Sequence, residues 1–355
     1  MTTPATVLRP YSLGELLDQA IRLYRRNFVK FLGIMAIIQV PISLLQLLVS
    51  FFVFQGLAEV SMASTPPSEQ LIARSLGGGG ASLLLTILSF FLVQGLATAA
   101  LTRSVADNYL GRQTGILDAY RRISSRWLSL VRAILLVGLL SLVLVIWTLV
   151  PCIGWVSGLG MLLFTSTVLL PLVAPIVILE GCSAVESIRR AWELARRRFW
   201  WILGFVFILF LFAQLLITGP GMLASTVLGM TVRQSGDYLR STTTSTLIQS
   251  AVTLLMSLLY LPLQLTAITL MYFDLRVRTE GFDLTVLASE ASGQPADVDA
   301  LTTQAPAISQ TRLITWQELG YFVIITFIGI ALYVVFIGIV FGFMSLIGYT
   351  FGGMP

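Results

Sequence analysis

The sequence predicts an all-α polytopic membrane protein: seven transmembrane helices, the first six built as three repeats of an interfacial amphipathic helix plus a transmembrane hairpin, then a tethered seventh span. Three observations predict this. Of the 355 residues, 56% are hydrophobic and only 11% charged, a balance foreign to water-soluble domains. Seven apolar runs reach the roughly twenty residues needed to cross about 30 Å of hydrocarbon, at about 28–54, 82–102, 129–150, 156–179, 199–218, 246–273 and 319–348. Three arginine-rich segments share one amphipathic spacing, and each leads straight into an apolar run.

The first of these segments is SLGELLDQAIRLYRRNFVKFLGI, residues 12 to 34. Ser12 and Glu15 form a capping-box pattern that starts a helix by satisfying its orphan backbone donors. Leu17, Ile21, Tyr24 and Phe28 follow at steps of four, three and four, which is one helical face. After two spans, GILDAYRRISSRW repeats that spacing with Ile116, Tyr120, Ile123 and Trp127. After two more, SAVESIRRAWELARRRFWWILGF repeats it with Ile188, Trp192, Ala195 and Phe199. This third copy, 171 positions beyond the first, also matches it at Ser12/Ser183, Glu15/Glu186, Ala20/Ala191, Leu23/Leu194, Arg25/Arg196 and Arg26/Arg197. The pattern predicts units that each lay a helix on the inner surface and then send a hairpin through the bilayer and back. Phe199 and Trp200 mark one entry point.

Residues 279–312, with Pro295 and Pro306 among small polar residues, predict a flexible cytoplasmic linker. It divides a six-span domain, 1–278, from a C-terminal transmembrane helix, 313–355, whose start is marked by the capping pattern Thr315 to Glu318. With the N-terminus cytoplasmic, nineteen of the 22 Lys and Arg fall on inner segments, and only Arg74, Arg233 and Arg240 fall outside. The C-terminus is then external. No signal peptide is apparent, since the first apolar run begins only near Phe28.

The net charge of +5 sits beside apolar runs, where lipid headgroups are the nearer anions, so nucleic acid is not the expected partner. Arg22, Arg25, Arg26, Arg121, Arg122, Arg126, Arg189, Arg190, Arg196, Arg197 and Arg198 are the candidates for contact with anionic lipid. The same arginines also suffice to set topology alone, and both readings stand. The chain has no histidine, which removes histidine acid/base chemistry and histidine metal ligation. Cys152 and Cys182 lie one span apart, on opposite sides of the predicted membrane, and are not expected to pair. No Asp, Glu, Lys or Arg falls near a midplane, which disfavours proton coupling. Gln39 with Pro41, and Pro262 with Gln264, either kink their helices or border a cavity; Gln94, Gln214, Pro171 and Pro175 are the other polar or kinking positions. Gly338 and Gly342, like Gly154 and Gly158, have the spacing of close helix packing. No catalytic, cofactor or metal residues are predicted.

YSLGELLDQAIRLYRRNF, ILEGCSAVESIRRAWELARRRFWWILG at 178 to 204, and YFDLRVRTEGFDL at 272 to 284 resemble the bacterial family named after the membrane domain of glycerophosphoryl diester phosphodiesterases. The resemblance covers roughly residues 10 to 288 and implies a multi-span protein of the bacterial inner membrane. It implies no phosphodiesterase activity, because the family's catalytic domain uses histidines that this chain lacks. Two functions compete: a non-enzymatic scaffold or accessory subunit that binds lipid headgroups and uses the seventh span to contact a protein partner, and a permease or lipid-handling transporter with a cavity among proline-kinked helices. An intramembrane enzyme is the third. A continuous polar cavity favours the transporter; a packed interior favours the scaffold.

Overall fold

Ser12 accepts from the Glu15 amide at 3.3 Å while Glu15 reaches back to the Ser12 amide at 2.9 Å, so the predicted capping box opens helix α1 (Leu13–Arg26). Ser183 and Glu186 close the same box at 3.4 and 3.0 Å. The structure, a computed structural model, describes residues 9–62, 69–112, 114–221, 223–224, 238–291 and 315–351, and all regular structure among them is helical. After α1 come α2 (Phe28–Met62), α3 (Glu69–Phe91), α4 (Thr98–Tyr109), α5 (Ile116–Ile123), α6 (Trp127–Thr148), α7 (Ile153–Phe164), α8 (Leu170–Pro175), α9 (Ala184–Arg197) and α10 (Phe199–Ala213). Three more follow: α11 (Tyr238–Glu280), α12 (Phe282–Ala291) and α13 (Trp316–Phe351).

Among the described residues six helical stretches are long and apolar enough to cross a membrane, as in a multi-pass membrane protein. Three are short, Phe28–Val49, Trp127–Thr148 and Phe199–Gly221; three are longer than the sequence suggests, Gly77–Tyr109, Ile153–Glu180 and Ser245–Glu280. The extra length has a physical cause. The ends of the long spans are covered by protein, so Thr102, Arg103 and Asp107, Glu180, and Thr269, Asp274 and Arg276 are buried there without meeting lipid. Each long span stops at a glycine that takes the left-handed conformation a helix end requires, Gly111, Gly181 and Gly281, with φ of 86°, 72° and 66°. The π-helical turns Thr165–Leu169 and Ile176–Glu180 flank Pro171 and Pro175, which cannot donate to the carbonyl four residues back.

The buried ends of α4, α8 and α11 pack against one another, and a short amphipathic helix lies on each: α5 on α4, α9 on α8 and the π turn after it, and α1 on α11. The first helix thereby closes on the last of the six spans. Helix α1 runs antiparallel to α11: the Tyr11 amide donates to Asp274 at 2.7 Å and the Tyr24 hydroxyl to the Leu259 carbonyl at 2.8 Å, about 22 Å apart along α11. The buried stripe also differs from the one the spacing suggests. Leu16, Ala20, Leu23 and Tyr24 are buried, while Ile21 and Phe28 stay exposed. Helix α5 likewise buries Ala119 and Ile123, while Trp127, at the start of α6, is exposed. Ala20, Ala119 and Ala191 occupy the same register and are each 0% exposed. A methyl side chain there lets each short helix approach its partner closely, and the larger apolar residues are left on the flanks.

The interval 279–312 is not linker throughout: α11 runs to Glu280, and α12 follows with Phe282 buried against Phe273. Residues 292–314 lie outside the described residues. Helix α13 has a described apolar stretch, Trp316–Leu332, shorter than the six spans. Its first half is docked on α7. Phe322 packs with Phe164, Trp192 and Phe199, Thr326 donates to the Val156 carbonyl at 2.9 Å, and Glu318 pairs with Arg196 at 2.8 Å.

Candidate functional site

Three stripes of small neutral polar side chains face one another between α2, α3 and α11. Helix α2 contributes Gln39, Ser43 and Gln46, α3 contributes Ser82, Thr86 and Ser89, the π turn after α3 adds Gln94, and α11 contributes Gln249, Ser250, Thr253 and Ser257. Within each helix the steps are mostly three or four, which holds the polar groups on one face. Together with Ile42, Leu47, Val49, Leu85, Phe90, Val93 and Leu254 they line a partly open cavity of about 680 Å³. Among the described residues no charged side chain lines it. Gln39, half-way along its span, hydrogen-bonds Ser257 at 2.5 Å and so joins α2 to α11.

Of the four predicted cavity residues only Gln39 lines this space; Pro41 is exposed, and Pro262 and Gln264 do not reach it. Gln94 lines it as well, whereas Gln214 accepts from Thr218 on its own helix. The serines, the threonines, Gln46 and Gln249 went unread. Their signal was available in the sequence as hydroxyls and amides recurring at helical steps inside otherwise apolar spans.

At the arginine-rich end, part of the charge is internal. Glu180 accepts from Arg190 at 3.1 Å and from the Tyr272 hydroxyl at 2.7 Å, while Glu280 pairs with Arg276 at 3.0 Å and with Arg190. Arg276 also lies 4.6 Å over the Phe282 ring. The side chains of Arg190, Arg276, Glu180 and Glu280 are all at most 6% exposed, and their charges sum to zero. Burial disfavours the charge on Arg190, yet Glu180 and Glu280 outweigh it and hold that guanidinium above its ordinary pKa. A second pairing, Asp274 with Arg278 at 2.8 Å and with the Tyr11 amide, ties α1 to α11; a third sets Arg103 and Arg122 around Asp107.

The eleven predicted headgroup contacts therefore divide. Arg22, Arg25, Arg26, Arg121, Arg189 and Arg198 are exposed. Arg190 is buried in the four-charge cluster and Arg196 reaches Glu318. Arg126 caps the Ile178 and Leu179 carbonyls at the end of a long span, Arg122 reaches Asp107, and Arg197 reaches Glu193. Gly338 and Gly342 are exposed, and a Cβ at either would meet nothing within 4 Å. Close approach falls elsewhere: a Cβ on Gly154 would meet the Trp147 carbonyl oxygen at 2.0 Å and one on Gly160 the Phe322 carbonyl oxygen at 1.9 Å. Cys152 is exposed, and burial followed by Glu180 pushes the Cys182 thiol up to about 11, so Cys182 is a poor nucleophile at neutral pH. Among the described residues no cluster of three or more acidic or cysteine side chains is placed to hold a metal ion. Compared with known protein families, curated proteins and solved structures, the chain matches none.

Proposed function

We propose that this chain is a transporter or lipid-handling protein that takes a polar solute or lipid headgroup into the cavity between α2, α3 and α11. One observation carries the reading: eleven neutral polar side chains converge on about 680 Å³ within helices otherwise apolar enough to span a bilayer. Ligand sites typically occupy about 300–1,000 Å³. Polar groups lost from water cost free energy unless something bonds to them, so a lining of this kind is explained by an occupant. The scaffold reading has no comparable support, since the inner half of α13 is already engaged by α7.

The proposal extends to architecture. The cyclic docking of α5 on α4, α9 on α8 and α1 on α11, with three register-matched buried alanines and three left-handed glycines, supports a three-unit repeat. The resemblance of residues 10 to 288 to the family named above fits a six-span repeat domain and assigns no catalysis. We place the protein in the bacterial plasma membrane with the arginine-rich end cytoplasmic, α13 as a seventh span, and the exposed arginines, Arg22 and Arg189 among them, at anionic headgroups.

Two experiments test this. Native mass spectrometry of the protein purified in mild detergent should detect a bound lipid or solute, and Ser43→Trp or Ser89→Trp should expel it by filling the cavity. A parent that carries nothing, or variants that retain the same species, overturn the cavity function. For orientation, cysteines placed at Ser68 or Gly353 in a chain lacking Cys152 and Cys182 should react in intact cells with an impermeant maleimide, and one at Ser292 should not. Labelling at Ser292 reverses the topology.

A further inference from the structure

We infer that the cavity recognises an uncharged group bearing a hydroxyl or amide N–H, sugar-like or polyol-like, and that the Gln39 side-chain oxygen is the acceptor that selects it. This rests on the cavity function proposed above and adds the chemical class of the ligand.

The second hydrogen bond of Ser257 sets the orientation of Gln39 that we infer. The Ser257 hydroxyl has one proton and donates it to the Leu254 carbonyl at 2.9 Å. Ser257 can then only accept from Gln39, which places the amide nitrogen of Gln39 on Ser257, at 2.5 Å, and turns Oε1 away from it. Gln39 is 8% exposed, and its Oε1 is buried with no hydrogen-bond partner among the described residues. An acceptor in that condition is costly, and native interiors leave few of them. A ligand donor satisfies it; an acceptor-only group does not.

The rest of the lining fits the same class. Serine, threonine and glutamine offer polar groups at several levels, an acceptor at Gln39 in the middle of the span and the amides and hydroxyls of Gln46, Ser82 and Gln249 farther out. That is the complement of a molecule carrying several hydroxyls. Among the described residues no charged side chain is there to neutralise an ion, and a net charge brought into a low-dielectric site without a counter-charge is strongly disfavoured. Below Gln39 the packing closes: Phe31, Ile34, Met35 and Leu101 are at most 1% exposed. The cavity therefore reaches from the middle of the bundle toward Val49 and away from the arginine-rich end. Such a vestibule admits either a free polyol or the headgroup of a neutral glycolipid, and both present the same donors.

The test uses the full chain with Cys152→Ser, Cys182→Ser and Ser43→Cys, held in phosphatidylcholine nanodiscs, and follows alkylation of the cavity cysteine by a small maleimide. Monoglucosyl-diacylglycerol in the disc, or glucose in solution, should slow alkylation about tenfold or more at saturation; phosphatidylserine should not. Slowing by the glycolipid alone identifies a headgroup, and slowing by glucose identifies a free solute. Permethylated forms of the same probes, which keep acceptors and lose every donor, should give no protection. Gln39→Met should weaken protection by about tenfold, read as the ratio of alkylation rates with and without ligand in that same variant, the effect of losing one buried hydrogen bond. The permethylated probes need no variant, so the inference stays testable if Gln39→Met fails to fold. Equal protection by permethylated probes or phosphatidylserine, full protection in Gln39→Met, or no protection by any hydroxylated probe overturns it. If Ser43→Trp expels a co-purified species and the permethylated probe still protects, the cavity function survives and the donor rule falls.

Discussion

Replacing Glu180 with alanine should cost about 3–5 kcal/mol of stability, the usual consequence of removing one partner from a buried ion pair. Glu180 is the acceptor for Arg190 and for the Tyr272 hydroxyl, and its carboxylate also lies 3.9 Å from Arg276. The variant leaves Glu280 as the remaining carboxylate of the cluster beside two buried guanidiniums and strips Tyr272 of the acceptor that Glu180 provides. Detergent-solubilised Glu180→Ala should therefore unfold at a much lower temperature than the parent, and Glu180→Gln, which keeps an acceptor, should fall between them. A double-mutant cycle isolates the cause. Glu180→Leu with Arg190→Met removes both charges, so its cost should fall below the sum of the single costs by about 0.5–3 kcal/mol. Strict additivity would mean that the two groups do not stabilise one another.

That cluster also marks where sequence reasoning stops. The capping boxes at Ser12 and Ser183 and the apolar spans were legible because their causes lie within a few residues. The pairing of Arg190 with Glu280 was not, because the two are 90 positions apart and meet only once α9 has folded onto α8 and α11. A rule that places arginine at the inner membrane surface locates Arg190 at the correct end of its helix and says nothing of which carboxylate it meets. The same holds for the cavity. Ser43 and Gln46 form a visible stripe on α2, but only the apposition of α2 with α3 and α11 turns three stripes into one lining. Gln39 was singled out for its neighbour Pro41, and it matters for Ser257, 218 residues away. The glycines teach the opposite lesson. Gly338 and Gly342 have the spacing of a packing motif, yet a Cβ on either would have open space around it, whereas one on Gly160 would run into the backbone of α13.

Gly160→Ala should loosen the C-terminal helix from α7. The new Cβ would lie 1.9 Å from the Phe322 carbonyl oxygen and 2.7 Å from its carbon, and backbone cannot rotate away as a side chain can. Either α13 shifts or α7 bends, and overpacking of this kind costs about 1–3 kcal/mol. The contacts at risk are specific: Thr326 on the Val156 carbonyl, Phe322 among Phe164, Trp192 and Phe199, and Arg196 with Glu318. Leu163 and Gly329 face each other across this interface, with the Leu163 side chain 3.1 Å from a Cβ built on Gly329. In a chain lacking the native cysteines, Leu163→Cys with Gly329→Cys should cross-link readily with a short bifunctional thiol reagent. Adding Gly160→Ala should reduce that yield several-fold, while adding Gly338→Ala, where a Cβ meets nothing, should leave it unchanged. Equal cross-linking in all three chains would mean that α13 is not seated on α7 through Gly160, and would return the last helix to the loosely tethered state that the sequence suggests.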